Sequence, residues 1–229
     1  MKRFELSQEK LKLCACITML IDHIGATLVP WPFLRNIGRM SFPIYCFLMA
    51  EGAHYTRNPK RYAFRLLLGS LLSEYIFDMT FYGKRNWFSN GVMLTLLLGF
   101  LALRVMESHW KDSLKLLAII LLSVSADFLF TDYGSDGVLL ILLFGITRDI
   151  PHKRIDQLLG MLVLFYHMGG ATTTIGPWTI CTELLAVFSL IPISLYSGKK
   201  TTDSKALQIG FYLFYPLHLW FLYFLKTIL

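Results

Sequence analysis

Asp22 and His23 interrupt the apolar stretch LCACITMLIDHIGATLVP, and ionisable groups in such surroundings need partners, water or a chemical task. An imidazole that titrates near neutrality can take a proton from an amine or hydroxyl as it attacks a carbonyl, which makes His23 a candidate general base. On a helix the two residues lie about 100° apart, so each must find its partners on other elements. The architectural alternative is a hydrogen-bonded core histidine beside an acid that caps a broken helix. A second histidine, His218 in FYLFYPLHLWFLY, follows Pro216 among Phe211, Tyr212, Phe214, Tyr215 and Trp220, a setting that suits packing as well as catalysis. His23, Asp22 and His218 are the catalytic candidates.

Arg39 in NIGRMSFPIY suits either a salt bridge to Asp22, Glu74 or Asp78, or a substrate carboxylate or phosphate. Pro43, four residues on, is expected to kink its helix. Glu74 and Asp78 in SEYIFD are spaced i, i+4 and share a helix face, an arrangement for an amine or a structural pair. A metal is disfavoured, because no second motif with ligand spacing accompanies them. With Asp132 in TDYGSD and Glu183, these residues form the expected substrate-binding set. Arg57, Lys60 and Arg61, close to Glu51 and His54, make a basic rim. It reads as a topology signal or as a seat for the phosphates of a coenzyme A donor. There is no glycine-rich phosphate loop of the Walker or dinucleotide type.

The elements that must position these groups are apolar. The chain of 229 residues is 55% hydrophobic and 16% charged, with a mean hydropathy of +0.54. A soluble domain usually has about a quarter of its positions charged. Apolar runs fall near residues 11–29, 37–53, 62–81, 91–106, 114–130, 137–148, 155–168, 178–196 and 209–227. The expectation is an all-α polytopic transmembrane bundle of about nine helices, forming one integral-membrane domain over 1–229. The first run reads as a retained helix rather than a cleaved signal. All of the 22 Lys and Arg except Arg35, Arg39, Lys84, Arg85 and Lys226 fall in alternate connections, which by the positive-inside rule gives an N-in, C-out order. On that order most buried acids sit at mid-depth or toward the outer face, above the inner basic rim. The net charge of +7 is then a topology signal, and no nucleic acid partner is expected. Cys14, Cys16, Cys46 and Cys181 all lie in apolar runs and give no disulfide framework.

The blocks LKLCACITMLIDHIG, NIGRMSFPIYCFLMAEGAHYTRN, RLLLGSLLSEYIFD, TDYGSDGVLLILLF, LYSGK and FYLFYPLHLWFLY, in this order, resemble the TraX family, and the likeness covers nearly the whole chain. The family's namesake is a conjugation-associated enzyme that acetylates the pilin N-terminus. The resemblance implies a single acyltransferase-like domain, a multi-pass acetyltransferase of the bacterial inner membrane that uses acetyl coenzyme A. It carries over Asp22, His23, Arg39, Glu51, Asp78, Asp132 and His218 as motif positions. The acceptor is left open among a pilin-like peptide amine, a sugar and a small metabolite. Membrane lipid is an expected partner, and self-association into a homo-oligomer stays open. The rival class is a proton-coupled transporter, because chains of Asp, Glu and His also mark ion pathways.

Overall fold

The computed structural model describes residues 5–202 and 204–229, without the side chain of Ile175. Lys2 and Arg3, counted above among the bases, lie outside the described residues. These residues form α1 (Gln8–Thr27), α2 (Pro32–Gly38), α3 (Ser41–Tyr55), α4 (Pro59–Tyr82), α5 (Val92–Met106), α6 (Asp112–Phe128), α7 (Gly134–Ile146) and α8 (Lys153–Met168). An antiparallel hairpin follows, β1 (Thr172–Ile175) and β2 (Trp178–Cys181), then a 3-10 helix (Thr182–Ser189), α9 (Leu190–Ser194) and α10 (Lys205–Ile228).

Among the described residues no helix is long and apolar enough to cross a membrane. The expected transmembrane bundle is overturned, and the N-in, C-out order and the depths drawn from it fall too. The physical reason is that hydropathy runs straight across element boundaries. Run 37–53 joins the end of α2 to α3, and run 178–196 is a strand, a 3-10 helix and a short α-helix. The strongly apolar α5 and α7, whose charged residues are Arg104 and Asp136, have 15 and 13 residues, or about 22 and 20 Å of axis against a hydrocarbon core of about 30 Å. The longer α4 carries Lys60, Arg61, Arg65, Glu74 and Asp78, and α10 carries Lys205, Gln208 and Lys226.

Contacts divide the chain into two compact units, one running up to Tyr45 and resuming at Met161, the other Cys46–Gly160. In the second unit α5 packs against α4, α6 and α7. Phe100, Leu103, Leu140, Ile141 and Phe144 are fully buried there. Gly99 permits the close approach of α5 and α7, because a β-carbon at that position would collide with Ile141. In the first unit α1 packs against α2 and α10, and α2 against the 3-10 helix. Ser7 and Ser204 cap α1 and α10 by accepting from the amides of Lys10 and Leu207. Pro43 is the third residue of α3, where its missing N–H would have no helical partner anyway, so the expected kink has no cause there.

Several helices turn apolar stripes outward. Phe64, Leu68, Leu71 and Tyr75 of α4 are exposed, as are Leu114, Leu117, Leu121, Val124 and Phe128 of α6 and Ile155, Leu159, Leu162 and Tyr166 of α8. Spacings of three and four place each set on one helix face. This inverts the usual amphipathic pattern, in which the apolar stripe faces the core.

Candidate functional site: an ion cluster beside a histidine pair

The site lies in the first unit and starts from α2. This helix is short, and Arg35 and Arg39 at its end are one helical turn apart, so both guanidinium groups leave the same face. Both reach Asp22 on α1. Arg39 Nη2 donates to Asp22 Oδ1 at 2.5 Å, and Arg35 Nη1 donates to Oδ2. Gly38 lets the two elements meet, because any β-carbon there would fall on the Asp22 carboxylate. Arg39 Nη1 also donates to Glu183 Oε1 at 2.9 Å. Glu183 is carried by the first turn of the 3-10 helix, whose start is tied down by the Thr182 N–H to the Ala171 carbonyl at 2.8 Å. Asn36 Nδ2 donates to Thr173 Oγ1 at 3.0 Å and ties α2 to β1. Asp22 and Arg39 are buried, so two guanidinium groups facing two carboxylates make a balanced cluster where an unmatched charge would be costly.

His23 follows Asp22 but leaves α1 on another face and meets His218 of α10. His23 Nδ1 and His218 Nε2 are 2.7 Å apart, with the rings nearly coplanar in orientation at 16°. His218 Nδ1 is 2.7 Å from the Phe214 carbonyl. A carbonyl only accepts, so His218 carries its proton on Nδ1 and, when neutral, accepts at Nε2. His23 must then donate from Nδ1, which leaves the lone pair of neutral His23 on Nε2. One backbone carbonyl thus sets both tautomers. Burial, followed by the charges of His218, Arg35 and Arg39, holds His23 well below its ordinary range. Burial likewise takes His218 down to about 4, against the opposing hydrogen bonds to the Phe214 and Tyr215 backbone. Both rings are therefore neutral at pH 7, and His23 can take up a proton at Nε2 while His218 accepts from its other nitrogen.

The remaining expected site residues lie elsewhere. Glu51 in the second unit is buried and paired with Arg148, whose Nε donates to Oε1 at 2.9 Å. Arg148 Nη2 also donates to the Tyr55 hydroxyl at 2.9 Å. His54 is exposed with its ring edge-on to Tyr55, and Arg57, Lys60 and Arg61 are exposed around the start of α4. Asp78 is buried and accepts from the Asn86 amide at 3.0 Å. Glu74 accepts from the Gly91 amide at 3.2 Å, and burial raises it from the usual carboxylate range. Asp132 is exposed in the turn before α7. Of the expected substrate set, the structure therefore brings only Arg39 and Glu183 to Asp22. Sequence reasoning missed Arg35 and Arg148 as partners. The Arg35 signal was present in RNIGR, whose spacing puts two guanidinium groups on one helix face, whereas nothing local pointed Arg148 to a residue 97 positions earlier. Among the described residues no group of three or more His, Cys, Asp or Glu could hold a metal ion.

The mostly helical first unit thus sets a balanced ion cluster beside a histidine pair whose tautomers are fixed. The chain belongs to the TraX protein family, whose sequence profile matches residues 7–226. It is 28% identical, over 95% of both chains, to the protein of Dichelobacter nodosus named Probable fimbrial assembly protein FimC, serogroup H1. A stretch covering 40% of this chain is 29% identical to 34% of an uncharacterized protein of Rickettsia prowazekii. No solved structure matches the chain.

Proposed function

We propose that this protein serves pilus or fimbrial assembly as an acetyltransferase that moves an acetyl group from acetyl coenzyme A to an amine or hydroxyl. Family membership and the relative concerned with fimbrial assembly support the setting. The observation that carries the chemistry is the carbonyl-anchored pair His218–His23, which leaves a basic nitrogen on His23. In the reaction the acceptor nitrogen or oxygen attacks the thioester carbonyl and passes its proton to His23 Nε2. The new C–N or C–O bond forms, the C–S bond breaks, and the leaving coenzyme A thiolate takes that proton from His23 Nε2, which returns the ring to its neutral form. Arg35, the more exposed of the two guanidinium groups on Asp22, is suited to the developing oxyanion, while Arg39 holds the cluster together. No covalent enzyme intermediate is needed.

The donor requires cations for its phosphates, and Arg57, Lys60 and Arg61 near Glu51 and His54 are one candidate set. Glu183, in the same unit as His23, is a candidate for holding the acceptor. The outward apolar stripes of α4, α6 and α8 support association with lipid, since helices meeting water on those faces would carry polar side chains. On its His218 side the histidine pair ends at a carbonyl instead of continuing through titratable groups, so no observation favours a proton-coupled carrier. The test is transfer of labelled acetyl from acetyl coenzyme A by the purified protein to pilin-like peptides with free and blocked N-termini, and to amino sugars. Transfer to any of them supports the reading, and absence of transfer to every acceptor, with no hydrolysis of the thioester, refutes it.

A further inference from the structure

The two helices that carry the histidines hold a second feature at their N-terminal ends. Lys12 of α1 places its ammonium 5.6 Å from the centre of the Phe211 ring of α10. Lys12 is eleven residues before His23, which is three helical turns and about 16 Å along the same face. Phe211 is seven residues before His218, two turns along one face of α10. The contacts fall in the same order on both helices, so α1 and α10 run in the same direction with Lys12–Phe211 at one end of their seam and His23–His218 further along.

A second lysine is brought to the same end by backbone pairing. Leu6 N–H donates to the Leu195 carbonyl at 2.8 Å, Ser197 N–H to the Leu6 carbonyl at 3.0 Å, and Gln8 N–H to the Lys199 carbonyl at 3.0 Å. The Glu9 carboxylate then accepts from the Thr201 amide at 3.1 and 3.0 Å. Lys200, between these anchored residues, is held beside the first turns of α1. Burial lowers the affinity of Lys12 for its proton, Glu9 restores part of it, and the charge of Lys200 opposes it again. Two ammonium groups against the one Glu9 carboxylate leave an excess of positive charge at this end of the seam, which favours an anion.

Building on the acetyltransferase reading, we infer that Lys12 and Lys200 seat the phosphates of the acyl donor, with the Phe211 edge of the α1–α10 seam guiding its pantetheine arm toward His23. The extended arm between pyrophosphate and thioester matches the axial separation of Lys12 and His23. Lys12 stands on the helix that carries His23, and Lys200 lies in the segment that leads into the helix of His218.

The test is titration of the purified full chain with coenzyme A and with pantetheine, which lacks the nucleotide and its phosphates. Wild-type protein should bind coenzyme A the more tightly. Lys12→Gln and Lys200→Gln should each weaken coenzyme A by about tenfold while changing pantetheine less than about twofold, and Lys12→Arg should keep most of the affinity. Lys200 is exposed, so Lys200→Gln decides the matter if Lys12→Gln misfolds. Unchanged coenzyme A affinity in both lysine variants, with a loss in Arg57→Gln or Arg61→Gln, overturns this inference and leaves the acetyltransferase reading standing. Failure of the wild-type protein to bind coenzyme A overturns both. Lysine variants that lose only the binding of a short-chain phosphatidylglycerol assign the lysines to a lipid headgroup and overturn the inference as well.

Discussion

The ion cluster around Asp22 and the ion pair around Glu51 use the same residue types to different ends. In the first unit two guanidinium groups and two carboxylates from α1, α2 and the 3-10 helix satisfy each other, and the adjacent histidines are held neutral. In the second unit Arg148 bridges Glu51 and Asp149, and Arg57, Lys60 and Arg61 are exposed around the start of α4. Beside the closed and balanced cluster, the Phe214 carbonyl holds the histidine pair in one tautomer. An open set of bases can meet an anion and cannot fix a proton.

Removing Arg39 should break that contrast most severely. Arg39→Ala takes from buried Asp22 and half-buried Glu183 the partner they share, a loss of about 3 to 5 kcal/mol of stability, read as a fall in Cm in denaturant titration. Acid should act next. Below pH 6.5 the unfolded chain binds a proton that folded His218, near 4, refuses, so stability is complete above about pH 6.5 and falls as the pH drops toward 4. The loss is on the order of 3 kcal/mol at most, and His218→Gln should flatten much of that slope in melts recorded across the interval. In the second unit Arg148→Ala removes one charge-assisted bond to Glu51 and should cost about 2 kcal/mol. Arg35→Ala should be the mildest, at about 1 kcal/mol or less, because its side chain is 38% exposed and Arg39 still holds Asp22. A larger effect for Arg35 than for Arg39 would mean that the cluster is organised from its exposed edge.

The sequence disclosed the chemistry of the first unit better than its construction. Asp22, His23, Arg39, Glu183 and His218 could be singled out because polar groups in apolar runs are conspicuous, and Arg39 does pair with Asp22. Their assembly was not legible, since His23 and His218 are 195 positions apart and Glu183 lies on a 3-10 helix that reads as part of a long apolar run. Helical character could be read from α5 and α7, whereas bilayer crossing could not, because hydropathy counts apolar residues without seeing where a helix stops. The turn at Arg39–Met40 and the hairpin at Gly176–Pro177 are the breaks it overlooks. Glu74 and Asp78 share a helix face as their spacing requires, yet each is engaged by a backbone amide from the segment after α4, a contact that spacing on one helix does not reveal.

The central claim is that His23 is the base and His218 its positioning residue. It is tested most directly by single-turnover acetyl transfer in His23→Gln and His218→Gln, with coenzyme A affinity measured on the same preparations. His23→Gln should keep donor binding and lose about 10²-fold to 10⁴-fold in rate. His218→Gln, whose amide oxygen can still accept from His23 Nδ1, should lose about tenfold. A nearly silent His23→Gln alongside an inactive His218→Gln would contradict it.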